Sequence, residues 1–298
     1  MMDGFLNILK PPGMSSHDVI GAVRKVLHMK RVGHAGTLDP AAAGVLPIAV
    51  GQAARLIEYL ELADKTYRAE LTFGFATDSG DDTGEITEEV ADFAMPSQQA
   101  IEHALLGFTG KIRQTPPAHS AIKIGGKRAC DLLREGKEVE IPSREVTIHA
   151  LDLVAYHPEE KKILLDVQCS KGTYIRSLCL DIGAALGLPA TMSFLVRSRV
   201  GDFALADALT LEELSEAGER AILEPAHFLS HFERYDLDPR REKPFCNGLG
   251  TGERRHVPET DILRVYSAGR FLGIGRYDRW SQEIIPAKVV CREPATKN

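Results

Sequence analysis

Hydrophobic positions along this chain follow two different periods, and the changes between them mark out its elements. Residues 4–9 (GFLNIL) read as a short strand that stops at the breaker Pro11-Pro12-Gly13. Ser15 or Ser16 then caps a helix, because Val19, Ile20, Val23, Val26 and Leu27 recur at helical spacing. The next stretch, RVGHAGTLDPAAAG, reads as a glycine-studded loop, with a helix resuming over 52–62. Tyr67 to Phe75 alternates as a strand. Residues 97–108 predict a helix with Ile101, Ala104, Leu105 and Phe108 on one stripe. From Gln114 to Pro142 the chain is rich in Pro, Gly and basic residues, and predicts a protruding loop with a short helix near 127–135. Strands are expected at 145–156, 161–169 and 190–199, and helices at 174–186 and 210–217.

Around Asp236 the character changes. Short apolar pieces (ILRVYSA, RFLGIGRYD, EIIPAKVV) separated by turns predict a small β-rich module, with the boundary near 234. The expected units are 1–234 and 235–298. Strands and helices mix without strict βαβ alternation, so the larger unit is expected to be α+β, with a mixed sheet.

Composition narrows this picture only slightly. A length of 298 residues favours about two cores, and 44% apolar with 26% charged residues is ordinary for a globular protein. No apolar run reaches the ~20 residues of a membrane span. The start, MMDGFLNILKPPG, lacks a basic segment followed by an apolar one, so a cytoplasmic location is expected. Five cysteines (Cys130, Cys169, Cys179, Cys246, Cys291) form an odd set without a C-x-x-C pair, and read as reduced structural thiols. His227 and His231 are four apart, but the Glu of a zinc motif is missing between them, so no metal site is expected.

The net charge of −6 argues weakly against a nucleic-acid partner, yet its distribution is uneven. From Asp78 to Glu102 there are eight acidic residues and no basic one; from Lys111 to Arg144 there are eight basic against four acidic. The latter stretch, with Lys111, Arg113, Lys123, Lys127 and Arg128, is the expected contact for a phosphate backbone. A solvated charged face is the alternative.

The loop Gly33-His34-Ala35-Gly36-Thr37-Leu38-Asp39-Pro40 holds the candidate chemistry. Its two glycines permit a tight turn and close approach to a ligand, and Pro40 biases Asp39 towards an extended conformation that projects its carboxylate. An ordinary turn with Asp39 as a cap would use the same residues.

The wider sequence separates these alternatives. GHAGTLDPAAAGVLPIAVGQAARL resembles the signature of the TruB family of tRNA pseudouridine-55 synthases, whose catalytic Asp lies in G-T-L-D-P. Four further blocks are similar to that family, in order: KTYRAELTFGFATDSGDDTGE, TPPAHSAIKIGGKRA, KGTYIRSLCLDIGAALG and FLVRSRVG. His119 in the second of these, and Cys130 just after it, stand where tyrosines are common in the family, and Arg55 replaces a Lys. The resemblance spans about residues 4–235, and the tail is similar to the PUA module of bacterial members.

It implies a pseudouridine synthase fold, with a mainly antiparallel sheet flanked by helices. It also implies isomerisation of a T-loop uridine: the N1–C1′ bond breaks, the uracil turns, and C5 rejoins C1′. No cofactor, metal or protein partner is required, and a monomer is implied. Asp39 would be the carboxylate, attacking the sugar or the base, or abstracting a ribose proton; all three routes are open. Arg176 would keep it charged. Tyr67 would stack on the flipped base and relay a proton, Tyr174 and Leu195 would line the uracil pocket, and His34 would fill the space the nucleotide leaves. Tyr174 and Arg176 can share that pocket only if Tyr174 precedes the helix, because residues two apart on a helix face apart. A non-catalytic RNA-binding protein, a guide-RNA-dependent synthase and a glycosidase are the competing readings. The last needs two carboxylates, where the sequence nominates one.

Overall fold

The structure is a computed structural model describing residues 3–117, 120, 122–124, 126–129, 132, 135, 141–252 and 257–291, without the side chains of 123, 124, 127 and 128. Its frame is a mixed sheet. The first strands are β1 (Gly4–Lys10), β2 (Val32–His34), β3 (Ala43–Val50) and β4 (Lys65–Phe73). Two small hairpins, β5 (Phe75–Thr77) with β6 (Ile86–Glu89) and β8 (Lys123–Ile124) with β9 (Lys127–Arg128), lie off the sheet on either side of β7 (Gly110–Gln114) in sequence. The frame is completed by β10 (Arg144–His157), β11 (Lys162–Cys169), β12 (Ala190–Val200) and β13 (Phe203–Ala204). Strand order is β1-β3-β12-β4-β11-β10-β7, with β2 added to β3 and β13 to β12. Every pairing is antiparallel except β3 with β12, where Ala43 and Gly44 run beside Val196 and Arg197. That parallel seam positions the site.

Six helices are described: α1 (Ser16–Leu27), α2 (Ile57–Glu61), α3 (Gln98–Leu106), α4 (Ile175–Ala185), α5 (Leu211–Ala217) and α6 (Pro239–Cys246). Ser15 caps α1 through a reciprocal box with Asp18. The helix then buries Val19, Ile20, Val23 and Leu27 against Leu6, Ile8, Leu46 and Ile48 of β1 and β3. At about 1.5–3 kcal/mol per side chain, that face holds the helix to the sheet more firmly than its intrinsic propensity does. On β4, Tyr67, Ala69, Leu71 and Phe73 alternate inward and pack with Leu178, Cys179 and Ile182 of α4.

A second, five-stranded sheet takes the order β14-β16-β17-β18-β15. Its members are β14 (Glu233–Leu237), β15 (Thr251–Gly252), β16 (Ile262–Ser267), β17 (Arg270–Asp278) and β18 (Glu283–Val289). The β-rich C-terminal region foreseen in the sequence is thus present, and residue 234 falls inside β14. The two sheets are packed together. Tyr266, Phe271 and Val290 join the apolar cluster of Phe5, Ala53, Leu56 and Tyr59, and Lys288 Nζ lies 2.6 Å from Glu58 Oε1.

Four expectations need correction. Residues 43–50, absent from the predicted elements, form the central strand β3. The helix expected over 52–62 is a 3-10 turn (Gly51–Leu56) followed by the short α2. Gln114, read as the start of a loop, closes strand β7 and pairs with Arg144. Finally, Cys246 and Cys291 are not free thiols but are joined in a disulfide across 45 residues, tying α6 to the end of β18. Cys169 and Cys179 are free and buried, as expected. The helix foreseen near 127–135 lies largely outside the described residues, as do His119 and Cys130. Among the described residues, no helix is long and apolar enough to cross a membrane.

Candidate active site

Asp39 lies on the loop between β2 and β3, and the loop is held from two sides. On one side, Ser16 Oγ accepts from the Leu38 N–H at 2.9 Å and donates to the Leu38 carbonyl at 3.0 Å. The Gly13 N–H donates to the Pro40 carbonyl, and Lys10 Nζ donates to the carbonyls of Pro11 (2.9 Å), Met14 (2.6 Å) and Pro40 (3.1 Å). Lys10 is fully buried. On the other side, the buried Arg197 donates from Nε to the Val45 carbonyl (2.8 Å) and from Nη2 to the Gly36 carbonyl (3.0 Å). These two cations therefore fix the backbone on either side of Asp39 by charge-assisted hydrogen bonds.

Glycine permits that approach. Gly36 has φ +83° and Gly44 has φ +115°. A Cβ on Gly44 would lie 2.2 Å from the Arg197 carbonyl oxygen, so the parallel seam closes only without a side chain there.

The Asp39 carboxylate meets Arg176, whose Nε is 3.1 Å from Asp39 Oδ2. Arg176 is buried in the first turn of α4 and donates from Nη1 to the Ser79 carbonyl at 2.9 Å. The same nitrogen lies 3.6 Å from Oδ2 of a second carboxylate, Asp81. Burial pushes the Asp39 carboxyl above its usual range, against the opposing charge of Arg176. Burial also pushes Asp81 up, but hydrogen bonds from Thr83 and Ser79 and the Arg176 charge outweigh it and hold Asp81 low. The two carboxylates are therefore held differently: hydrogen bonds and Arg176 outweigh burial at Asp81, whereas burial outweighs Arg176 at Asp39.

Tyr174 occupies the N-cap of α4 with extended φ −104° and ψ 115°, as its spacing from Arg176 required. Gln114 locks it there, accepting from the Tyr174 N–H (2.8 Å) and donating to its carbonyl (2.9 Å). Asp39, Tyr67, Tyr174, Arg176 and Leu195 all line one cleft of about 920 Å³. That is the upper range for a small-ligand site. Burial pushes the Tyr67 phenol above its usual range, against the charge and hydrogen bond of Arg197.

His34 does not line this cleft. It sits half-buried on β2, where burial lowers its pKa and its Nδ1 has no hydrogen-bond partner among the described residues. Lys111 and Arg113 also stand outside, exposed on β7, bonded to Glu145 (3.1 Å) and the Ser143 hydroxyl (2.8 Å). Lys123, Lys127 and Arg128 fall on the β8–β9 hairpin. A smaller cavity of about 430 Å³, beside Phe203 and His231, holds none of the site residues.

Sequence reasoning missed Lys10, Ser16, Lys65, Asp81 and Arg197 as site residues, and placed Arg144 only within the basic stretch expected to meet phosphates. Lys65 lines the cleft with its amine bonded to the Glu61 and Ala63 carbonyls, and burial brings its pKa down to about 8. A charged residue at the end of an apolar strand was the available signal for Lys10. For Arg197, the signal was its place two residues beyond Leu195 on the same strand face.

Known proteins match this chain in sequence and in fold. Residues 24–175 match the family model described as the TruB family pseudouridylate synthase N-terminal domain. Residues 176–227 match the tRNA pseudouridylate synthase B C-terminal domain. Fold and sequence thus define a pseudouridylate synthase, which is an isomerase. The chain belongs to the TruB family. It is 49% identical over 307 residues to the tRNA pseudouridine synthase B of Moorella thermoacetica, covering 97% of this chain and 100% of that one. With the protein of the same name from Heliobacterium mobile it shares 45% identity over 286 residues, 94% of this chain and 92% of the relative. Among solved structures it resembles a chain of a Cbf5–Nop10–Gar1 complex, at 25% identity with a TM-score of 0.73 over 97% of this chain and 84% of that one. A chain of an H/ACA RNP bound to a substrate RNA containing 2′-deoxyuridine is similar in fold, with a TM-score of 0.72 at 22% identity, covering 97% of this chain and 85% of the other.

Proposed function

We propose that this chain isomerises uridine 55 in the T-loop of tRNA to pseudouridine, with Asp39 as the catalytic carboxylate. The observation that carries this reading is the Asp39–Arg176 pair, 3.1 Å apart, on the wall of a cleft large enough for an extruded nucleoside. A T-loop uridine is inaccessible in its stack, so it is flipped out, at a cost of a few kcal/mol offset by pocket contacts. Tyr67 offers the stacking face, and Tyr174 and Leu195 close the walls. His34, two residues before Gly36, meets the RNA where the nucleotide has left it.

In the reaction the N1–C1′ bond breaks and a C5–C1′ bond forms; C5 gives up a proton and N1 gains one. Nothing is oxidised or hydrolysed, so the scheme calls for no cofactor. Asp39 acts as the anion, whether on the sugar, on the base, or on a ribose proton. Arg176 favours its ionised form against burial, and the Tyr67 phenol, whose neutral form burial favours, can exchange the late proton.

The strand 111–114 and the hairpin beyond it would grip the T-arm backbone, and residues 235–298 would form a PUA-like unit for the rest of the tRNA. We place the enzyme in the cytoplasm, working as a monomer without a protein partner. Tritium release from a T-arm transcript labelled at uracil C5 tests the reading. Turnover by the purified chain supports it, and absence of turnover with retained RNA binding favours a non-catalytic RNA-binding protein.

A further inference from the structure

The cleft carries more positive charge than its reaction uses. Five cationic side chains line it (Lys65, Arg144, Lys171, Arg176 and Arg197), against the carboxylates of Asp39, Glu61 and Glu145. Three of the five are committed to the protein itself. Arg176 is paired with Asp39, Arg197 holds the carbonyls of Gly36 and Val45, and Lys65 holds those of Glu61 and Ala63. Glu145 is paired with Lys111. Arg144 and Lys171 have no carboxylate partner among the described residues.

Arg144 is nevertheless fixed in place. Its guanidinium lies 4.9 Å from the centroid of the Tyr174 ring, and Nη2 donates to the Gly172 carbonyl. Gly172 has φ +83°, and a Cβ there would sit 3.3 Å from both Arg144 Cζ and Nη2. The guanidinium plane therefore rests on bare backbone, with a tyrosine ring as its other neighbour. A fixed, unneutralised guanidinium in a cleft is suited to an oxyanion, which it can bind through two parallel N–H donors.

We propose that Arg144, with Lys171 beside it, forms a phosphate subsite that holds a backbone phosphodiester of the RNA at the nucleotide turned into the cleft. This rests on the reading of the cleft as a uridine site. The subsite explains how a chain of net charge −6 draws RNA to this face, since local charge rather than the total sets the field at the cleft. It also ties recognition to the pocket, because the cation contacts the Tyr174 ring. Arg144 is thus a binding residue for the phosphate and a positioning residue for Tyr174.

The test is the salt dependence of T-arm RNA binding by the full chain, for wild type, Arg144→Gln, Arg144→Lys, Lys171→Gln and Arg68→Ala. Arg68 is the control: it lies next to Tyr67 on β4 but points to the opposite face, paired with Asp166 at 2.7 Å. Removing one phosphate contact is expected to flatten the plot of log K against log salt by about 0.7–0.9 and to weaken binding about tenfold at low salt. Arg144→Gln and Lys171→Gln should show this, Arg144→Lys should keep most of the slope, and Arg68→Ala should match wild type. At saturating RNA, kcat of Arg144→Gln should fall far less than kcat/KM. An unchanged slope in both glutamine variants would overturn the subsite, even if affinity fell through loss of packing on Tyr174. If Arg144→Gln fails to fold, Lys171→Gln and Arg144→Lys decide by the same slopes. A wild type that binds T-arm RNA but does not isomerise it would instead sink the functional reading and leave the phosphate contact measurable.

Discussion

Arg176 and Asp39 form an unequal pair: the guanidinium is almost wholly buried, while its carboxylate partner, 3.1 Å away, opens to the cleft. Asp81, 3.6 Å from the same guanidinium, competes for it from the buried side. The consequence is a carboxylate whose pKa is raised by burial and a neighbouring anion, against the lowering charges of Arg176 and Lys10.

That balance gives a pH prediction. In the proposed reaction Asp39 acts as the anion, so activity should be lost as pH falls through its pKa, which lies above the ordinary 3.8. Replacing Arg176 with Gln removes the largest lowering influence, with Lys10 and Asp81 left in place, so the acid limb of kcat/KM should move to higher pH. Activity at neutral pH should fall by at least about a hundredfold, in line with loss of a preorganised charge contact. A pH–rate profile of Arg176→Gln with an unmoved acid limb would show that another group holds the carboxylate.

Lys10 acts through the backbone. Its amine satisfies three carbonyls, one of them next to Asp39 in sequence. Lys10→Met should cost about 3 kcal/mol of stability, since buried acceptors lose a charged donor. It should also lower kcat without raising KM. Denaturant unfolding together with steady-state kinetics checks both expectations, and a loss confined to KM would contradict the bracing role.

How much of this could be read from the chain depends on what kind of interaction is involved. Helix α1 was legible because Ser15 and five apolar residues announce it. The expectation that Tyr174 stays extended before Arg176 followed from helical geometry alone, and the structure has it so. Strand β3 was illegible because AGVLPIAV is a continuous apolar run interrupted by Pro47, with neither helical nor alternating period. The bracing of Asp39 was hidden for another reason. Lys10, Ser16 and Arg197 bind main-chain carbonyls and amides, which leave no complementary residue type in the sequence to pair them with. Likewise, an odd cysteine count obscured the Cys246–Cys291 bridge, whose partners stand 45 residues apart in sequence.

The seam between β3 and β12 depends on Gly44. Gly44→Ala forces a Cβ to within 2.6 Å of the Arg197 amide nitrogen as well as its carbonyl oxygen, at a φ that L-residues disfavour. The expected cost is at least about 2 kcal/mol, from strain and displaced pairing. Activity should fall with it, because Arg197 loses its alignment on Gly36. A variant with wild-type melting temperature and turnover would remove the seam from the account.

The disulfide has a local role. Closing a loop of 45 residues restricts the unfolded chain by about 4 kcal/mol on the loop-entropy model. Reduction, or Cys246→Ser, should lower the stability of the five-stranded sheet while leaving turnover of a T-arm minihelix within about twofold, since neither sulfur lies near the cleft. Calorimetry with and without reductant, beside the tritium assay, measures both. Equal losses in stability and turnover would mean that the second sheet supports the site directly.

The central claim concerns a single carboxylate, and one comparison addresses it most directly: tritium release and RNA affinity measured together for wild type and Asp39→Asn. The amide keeps the shape and forfeits the charge. Release from a C5-labelled T-arm transcript should vanish, with Kd changed by less than about threefold, since 1.4 kcal/mol corresponds to tenfold in binding. Near-normal release from Asp39→Asn would mean that the reaction is carried by another group.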